Sequence, residues 1–483
     1  MKGPTQRLAT GASWIYAYRW SERLLDFVSL LVLARLLVPE DFGLVAIAAS
    51  VVAILEGLSN FDVDKALIQT RDDDPALYDT AWTLSTLRGV LAATLMGLVA
   101  LFLPDREIAA VLLALAPTPV FKGLSNPRFV AFERNLVYSR LAALTLGAKL
   151  VTLTVTLSLA WLYRSHWALV VGMLGGSFAS LVLTYALRPH RPRWSLDRAH
   201  DIFAFSGWMT LTSIVTTLSM ETDKILVGKL LGVADAGLYF MTQRIGSMPT
   251  RELVSPLQRI LFPSFSEFAA DRQRLRRVVR ESINVLGSLS LPAGFGFALV
   301  ANDVVPWILG DTWRPIVPLL TLLVPFLGLR ATLSMTLPCV LSLGRTRLLF
   351  KVSSVYALVH IPAFVAGTAL WGLTGAIGSI VAAGLFYTAL NVWMLHHTLA
   401  ITLGDIGRAL RRPVIATVLM VATIGALAAV LELELFSTEG SLLALGIKVG
   451  VGAVVFVGSL VLLWRLEGRP PGIERRLLQL LPG

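Results

Sequence analysis

The chain has 483 residues, of which 55% are hydrophobic and 15% charged, against roughly 25% charge in an ordinary soluble domain, so lipid rather than water is the solvent this composition suits. A single cysteine, Cys339, excludes an intramolecular disulfide and is read as packing. The net charge of +11 forms no separate basic domain, because the arginines fall between apolar stretches, and this excludes nucleic acid as a partner.

In chain order, apolar stretches of the roughly 20 residues that a helix needs to cross a bilayer lie near 13–37, 42–62, 78–103, 107–127, 139–163, 166–188, 202–230, 237–262, 278–301, 314–342, 347–370, 373–397, 411–432 and 440–464. They predict an all-α polytopic membrane protein with about fourteen transmembrane helices. The first stretch is too long for the core of a signal peptide and is expected to be retained. The connections are short, so none can fold into a soluble catalytic domain, and no Gly-x-x-x-x-Gly-Lys-Ser/Thr loop is present. The chain is therefore expected not to be an enzyme and to need no cofactor.

If the N-terminus is cytoplasmic, the even-numbered connections hold Arg128, Arg134 and Arg140, then Arg188, Arg191, Arg193 and Arg198, then Arg272, Arg274, Arg276, Arg277 and Arg280. Arg345, Arg347, Lys351, Arg408, Arg411, Arg412, Arg465, Arg469, Arg475 and Arg476 continue the bias, whereas the last opposite connection is acidic, with Glu432, Glu434 and Glu439. The positive-inside rule then places both termini in the cytoplasm and requires an even number of crossings.

Two internal matches reveal a repeat. Ala34-Arg-Leu-Leu-Val-Pro-Glu-Asp-Phe-Gly-Leu44 aligns without a gap on Gly228-Lys-Leu-Leu-Gly-Val-Ala-Asp-Ala-Gly-Leu238, at an offset of 228 − 34 = 194. Pro127, Arg134 and Arg140 pair more weakly with Pro338, Arg345 and Lys351. The period is six spans, an even number, so the halves run parallel, as in bundles related by an axis along the membrane normal. The expected organisation is an N-terminal six-helix lobe at 1–195, a C-terminal six-helix lobe at 196–400, two additional helices at 401–466 and an amphipathic cytoplasmic tail at 467–483. Duplicated bundles commonly enclose a substrate path, which points to a transporter.

Charges at membrane depth are the candidate site. The first span carries Arg19, Glu22, Arg23 and Asp26 at i,i+4 spacing, and Arg23 lies roughly 15 Å in by helical rise. A charge there costs at least about 2.5 kcal/mol unless it faces a polar cavity or a partner. Further candidates for substrate binding are Arg88, Lys149, Arg244, Arg251 and Arg330, while Glu22, Asp26, Glu221, Asp223 and Lys224 are candidates for ion pairing or coupling. Cations outnumber anions, which favours an anionic cargo, and guanidinium forks suit phosphate oxygens. Part of the set must pair internally: Glu221 or Asp223 with Lys224, and Glu252 with Arg251.

Other features have plainer readings. Pro117 and Pro119 interrupt the fourth span, Pro249 and Pro256 the eighth, Pro318, Pro325 and Pro338 the tenth and Pro362 the eleventh, as kinks that neighbours must satisfy. Gly172-x-x-x-Gly176 and Gly446-x-x-x-Gly450 are expected to allow close helix approach. Asp72-Asp-Asp-Pro75 fits an acidic helix cap better than a metal motif, and His396-His397 has no partner at ligand spacing, so no metal is expected. Residues 271–281 and 473–481 are basic and amphipathic, suited to an anionic inner leaflet.

Leu33-Ala-Arg-Leu-Leu-Val-Pro-Glu-Asp-Phe-Gly-Leu-Val45 resembles the signature of bacterial polysaccharide exporters of the Wzx and colanic-acid-exporter type, within the multidrug/oligosaccharidyl-lipid/polysaccharide (MOP) superfamily. Ala66-Leu-Ile-Gln-Thr-Arg71 and the segment from Asp223 to Tyr239 resemble two further parts of those proteins. The resemblance implies a flippase that moves undecaprenyl-pyrophosphate-linked oligosaccharide across the bacterial inner membrane by alternating access, with a cationic cavity to which Arg19 and Arg23 correspond. It implies a polyprenyl-pyrophosphate-linked glycan and membrane lipids as partners, with polysaccharide polymerase machinery a further candidate, and a lateral lipid groove at the last two helices, which Lys448 would interrupt. The alternatives are an ion-coupled exporter of small amphiphiles and a lipid II flippase; a glycan polymerase would need a long extracytoplasmic loop.

Overall fold

The structure, a computed structural model, describes residues 4–58, 67, 74–134, 137–199, 207–434 and 442–468. Its helices are α1 (Pro4–Leu36), α2 (Pro39–Leu58), α3 (Pro75–Phe102), α4 (Arg106–Leu115), α5 (Pro117–Leu124), α6 (Val130–Arg134), α7 (Tyr138–Tyr163), α8 (Trp167–Leu187), α9 (Gly207–Leu231), α10 (Val233–Glu267), α11 (Arg272–Leu309), α12 (Val317–Thr332), α13 (Thr336–Ser342), α14 (Thr346–Leu399), α15 (Leu403–Glu434) and α16 (Leu442–Leu466). No strand occurs among the described residues. Helix is what an apolar chain forms in lipid, because each backbone N–H then finds its carbonyl within the segment.

Ten helical segments among the described residues are long and apolar enough to cross a membrane, so the chain is a multi-pass membrane protein of all-α class. The 54-residue α14 is two helices folded back on each other at Trp371 and Gly372, where Gly372 adopts φ 60° and ψ −144°, so that Ser379 Oγ donates to the Ala363 carbonyl at 2.9 Å across the turn. The predicted first, seventh and eighth spans are helical as well, in α1, α9 and α10. They are less apolar because they carry most of the candidate charges.

Local chemistry sets several helix ends. Asp74 caps α3, its Oδ1 accepting the Ala76 N–H at 3.0 Å ahead of Pro75 at the first turn; Asp72 and Asp73 lie outside the described residues. Asp105 and Asp271 cap α4 and α11 in the same way. The expected interruption of the fourth span falls between α4 and α5, at Pro117, whereas the tenth breaks between α12 and α13 at none of its three prolines: Pro318 and Pro325 lie within α12 and Pro338 within α13. Pro249 and Pro256 sit inside the unbroken α10, and the break in α14 falls at Gly372 rather than at Pro362. There the neighbouring turns absorb the lost hydrogen bond.

Two compact units divide the chain, Met1–Gly237 and Leu238–Gly483. In the first, α1 packs on α7, α2 on α9, and α7 on α8. Gly172 and Gly176 of α8 sit where an added Cβ would come within 1.8 and 1.9 Å of the Thr156 and Thr152 hydroxyls of α7, the expected close approach. Gly446 and Gly450 correct the parallel expectation: a Cβ at either would meet open space, so this pair makes no close helix approach among the described residues.

The repeated motif meets itself inside the first unit. A Cβ on Gly43 would lie 1.9 Å from the Val233 carbonyl oxygen, and a Cβ on Gly237 would lie 1.8 Å from that of Pro39. Since 43 + 194 = 237 and 39 + 194 = 233, the contact is reciprocal between equivalent positions, as a local two-fold axis requires.

In the second unit, Cys339 is fully buried among Leu286, Met335 and Leu395. Lys448 of α16 is paired: its Nζ bonds Asp303 Oδ2 of α11 at 2.8 Å, with both side chains mostly buried. Removing one partner strands a charge, whereas removing both restores apolar packing. Lys448→Leu alone should lower the melting temperature in detergent, and Lys448→Leu with Asp303→Leu should recover most of the loss, as a double-mutant cycle would record.

Candidate functional site

The candidate site starts on α1, one face of which puts Tyr18, Arg19, Glu22, Arg23 and Asp26 on successive turns. Tyr18 is buried at 5% exposure, and the Arg19 guanidinium lies 5.6 Å from its ring centroid. Arg19 Nε is buried without a hydrogen-bond partner among the described residues. Arg23 stacks over Trp20 at 5.8 Å. Neither ring neutralises the cation, so an anion arriving beside Arg19 meets a guanidinium already stripped of part of its water.

Two anions of the set have cation partners in the first unit. Asp26 bonds Lys149 of α7, a partner 123 residues away that joins a predicted coupling residue to a predicted substrate residue. On α9, Glu221 takes Lys224 at 2.6 Å, one of the two expected pairs, and Asp223 is buried. Arg88 lies half-buried on α3. Thus α1, α3, α7 and α9 hold the first unit's candidate charges.

The second unit carries Arg244, Arg251 and Arg330. Arg251 is half-exposed, with its Nε 3.7 Å from Glu252, the expected offset. Arg330 lies 5.8 Å from the Tyr387 ring centroid. Around it sits an aromatic and polar group that sequence reasoning missed: Tyr356 stacks on His360 at 5.1 Å and meets Tyr387 at 4.8 Å, and the Asn391 amide donates to the Tyr387 carbonyl. The available signal was Tyr356, His360 and Phe364 at four-residue spacing in an otherwise apolar helix. Among the described residues no group of three or more His, Cys, Asp or Glu could hold a metal; His397 instead stacks flat on Trp393 at 5.4 Å.

The family model described as "Polysaccharide biosynthesis protein" matches residues 32–318. The chain belongs to the polysaccharide biosynthesis protein family. Among its relatives are the lipopolysaccharide biosynthesis protein WzxC of Escherichia coli (strain K12), 25% identical with 81% of each chain covered, and the succinoglycan biosynthesis transport protein ExoT of Rhizobium meliloti (strain 1021), 26% identical with 94% of this chain and 92% of the relative covered. Its fold is shared with the lipid II flippase MurJ in an inward closed conformation, at a TM-score of 0.73 and 12% identity over 93% of this chain and 98% of that one. An inward-facing multidrug resistance MATE transporter of the MOP superfamily follows, at a TM-score of 0.61 and 14% identity over 78% and 95%. The resemblance to polysaccharide exporters of the MOP superfamily therefore holds for this family member.

One titratable group outside the spans has a definite direction. Burial lowers the His190 pKa below its ordinary 6.5, and the Arg128 charge adds to the shift against an opposing Asp79. The folded state thus prefers neutral imidazole, so this contribution to stability is complete above about pH 6.5 and is lost as the pH falls. His190→Gln should flatten the decline of melting temperature between about pH 6.5 and 5, measured in detergent.

Proposed function

We propose that this family member is a flippase that carries an undecaprenyl-pyrophosphate-linked oligosaccharide from the cytoplasmic to the outer leaflet of the bacterial inner membrane. The relatives are named for lipopolysaccharide and succinoglycan biosynthesis, products assembled from sugars. The observation that carries the reading is Arg19, a guanidinium on an intramembrane helix with a buried, unpartnered Nε and an aromatic ring as its neighbour. A phosphate oxygen satisfies such a group, and a cation does not.

In this reading Arg19 and Arg23 meet the pyrophosphate linker, and Arg88, Lys149, Arg244, Arg251 and Arg330 supply further positive charge along the path. Lys149 reaches the cargo when its pair with Asp26 opens, which makes Asp26, with Glu22, Glu221, Asp223 and Lys224, a candidate for coupling. Both termini are cytoplasmic by the arginine bias, which requires an even number of crossings, fourteen in this reading, and two six-helix lobes alternate access. The reciprocal contact of Gly43 and Gly237 supports parallel halves. The chain acts without catalysis, on a lipid-linked glycan that polymerase machinery then takes over.

The MATE-like fold favours one second reading, an ion-coupled exporter of small amphiphiles, against which the excess of intramembrane cations weighs. The two separate on one comparison. In liposomes, Arg19→Ala and Arg23→Ala should each slow leaflet exchange of a fluorescent polyprenyl-pyrophosphate glycan by about tenfold or more, the loss of one charged hydrogen bond. Arg411→Ala, whose partner is Glu467, should exchange at the wild-type rate. Full exchange by both first-helix variants would remove Arg19 and Arg23 from the site.

A further inference from the structure

A second cluster of cations lies at one end of the first unit, away from the α1 charges. There Asn126, 2% exposed, ties the end of α5 to the end of α8: its Nδ2 donates to the Arg188 carbonyl at 2.6 Å, and its Oδ1 accepts the Arg128 N–H at 3.0 Å. Arg188 Nη1 returns a bond to the Arg128 carbonyl at 2.9 Å. Each guanidinium is then laid over a ring, Arg128 over Tyr78 at 5.4 Å and Arg188 over Phe132 at 5.3 Å. His190, whose side chain is 7% exposed, sits close enough for both arginine charges to act on it.

The neighbouring carboxylates have other bonds. Asp74 takes Arg198 at 2.9 Å, Asp197 accepts from the Ser195 hydroxyl, and Asp79 accepts the Arg193 N–H. Asp79 Oδ1 is also 3.4 Å from His190 Nε2, an ion-pair distance. Both that Nε2 and Arg128 Nε are buried with no hydrogen-bond partner among the described residues. Orphaned donors of this kind cost free energy unless a ligand satisfies them.

Arginines that merely set topology end in water on mobile stems. These two are held by a buried asparagine, by backbone carbonyls and by flat aromatic contacts, which removes the rotamer entropy that binding would otherwise cost. Planar forks fixed in this way match the oxygens of a phosphate group. We propose that Arg128, Arg188 and His190 form a binding site for a phosphate or pyrophosphate headgroup at this end of the first unit, separate from the α1 cations. The ligand's chemistry is shared by an anionic phospholipid and by a polyprenyl pyrophosphate. The site does not depend on which cargo the protein moves.

Arginine-specific footprinting of the wild-type full chain tests this without a variant that must fold. The protein is treated with phenylglyoxal in phosphatidylcholine nanodiscs, alone, with inorganic pyrophosphate, or with phosphatidylglycerol in the disc, and each site is read by mass spectrometry. Arg128 and Arg188 should react about tenfold more slowly when a probe binds, while the exposed Arg106 keeps its rate. Protection by phosphatidylglycerol alone identifies a lipid headgroup, and protection by pyrophosphate identifies a pyrophosphate-bearing ligand. Unchanged rates with both probes, or equal slowing at Arg106, overturn the site. Leaflet exchange by the same preparation shows separately whether the flippase reading survives that result.

Discussion

Gly43→Val should unfold the first unit at temperatures where the wild type is intact, and Gly237→Val should do the same. At each position the obstacle is a backbone carbonyl oxygen within 2 Å of the new Cβ (1.9 Å at Gly43, 1.8 Å at Gly237). A carbonyl inside a helix cannot swing aside as a side-chain tip can. Replacing glycine in a helix normally gains about 0.5–1 kcal/mol by relieving backbone entropy, whereas forcing atoms into a packed contact costs about 1–3 kcal/mol, and more when backbone must move. The clash therefore decides the sign, and Gly43→Ala should already destabilise. Gly378→Ala, where a Cβ meets open space, should leave the melting temperature unchanged or raise it. A wild-type melting curve for Gly43→Val would mean that α2 and α10 do not touch at this point.

Asp405→Ala carries the second large effect. Asp405 is 4% exposed and receives Arg276 Nη2 at 2.7 Å, Arg280 Nη1 at 3.2 Å and Arg408 Nη2 at 3.2 Å, along with the Thr402 N–H at 3.1 Å. One carboxylate thereby gathers the start of α11 and the start of α15. Removing it leaves three guanidiniums facing one another and a helix end uncapped. Water reaches Arg276 and Arg280, which are 36% and 40% exposed, and screens part of the repulsion. About 2–3 kcal/mol of destabilisation should remain. Asp405→Asn keeps an acceptor for Thr402 but not the charge, so its melting temperature should fall between the two; equality of all three proteins would dissolve the brace.

What could be read from the chain followed from local physics. A span announces itself by about 20 apolar residues, and helices stand in each of the fourteen predicted ranges. The repeat at offset 194 was visible because the same turn chemistry occurs twice, and the structure adds that the two copies touch. The aspartate before Pro75 read correctly as a cap because a cap needs only its immediate neighbours.

Pairings between distant helices were not legible. Lys149 meets Asp26 and Lys448 meets Asp303 across 123 and 145 residues, and nothing in hydropathy says which helix faces which. The run from Arg272 to Arg280 looked like a plain inside signal, yet two of its arginines serve Asp405. Gly446 and Gly450 show the converse: small-residue spacing permits close packing but does not create it.

The central claim is that the cargo is a glycan on a polyprenyl pyrophosphate, and leaflet exchange by the reconstituted wild-type chain tests it most directly. Liposomes containing the protein and a fluorescent polyprenyl-pyrophosphate oligosaccharide should expose the inner-leaflet pool to a membrane-impermeant quencher, while protein-free liposomes keep it protected. Protection that persists in the presence of folded protein, across several glycans, would contradict the account.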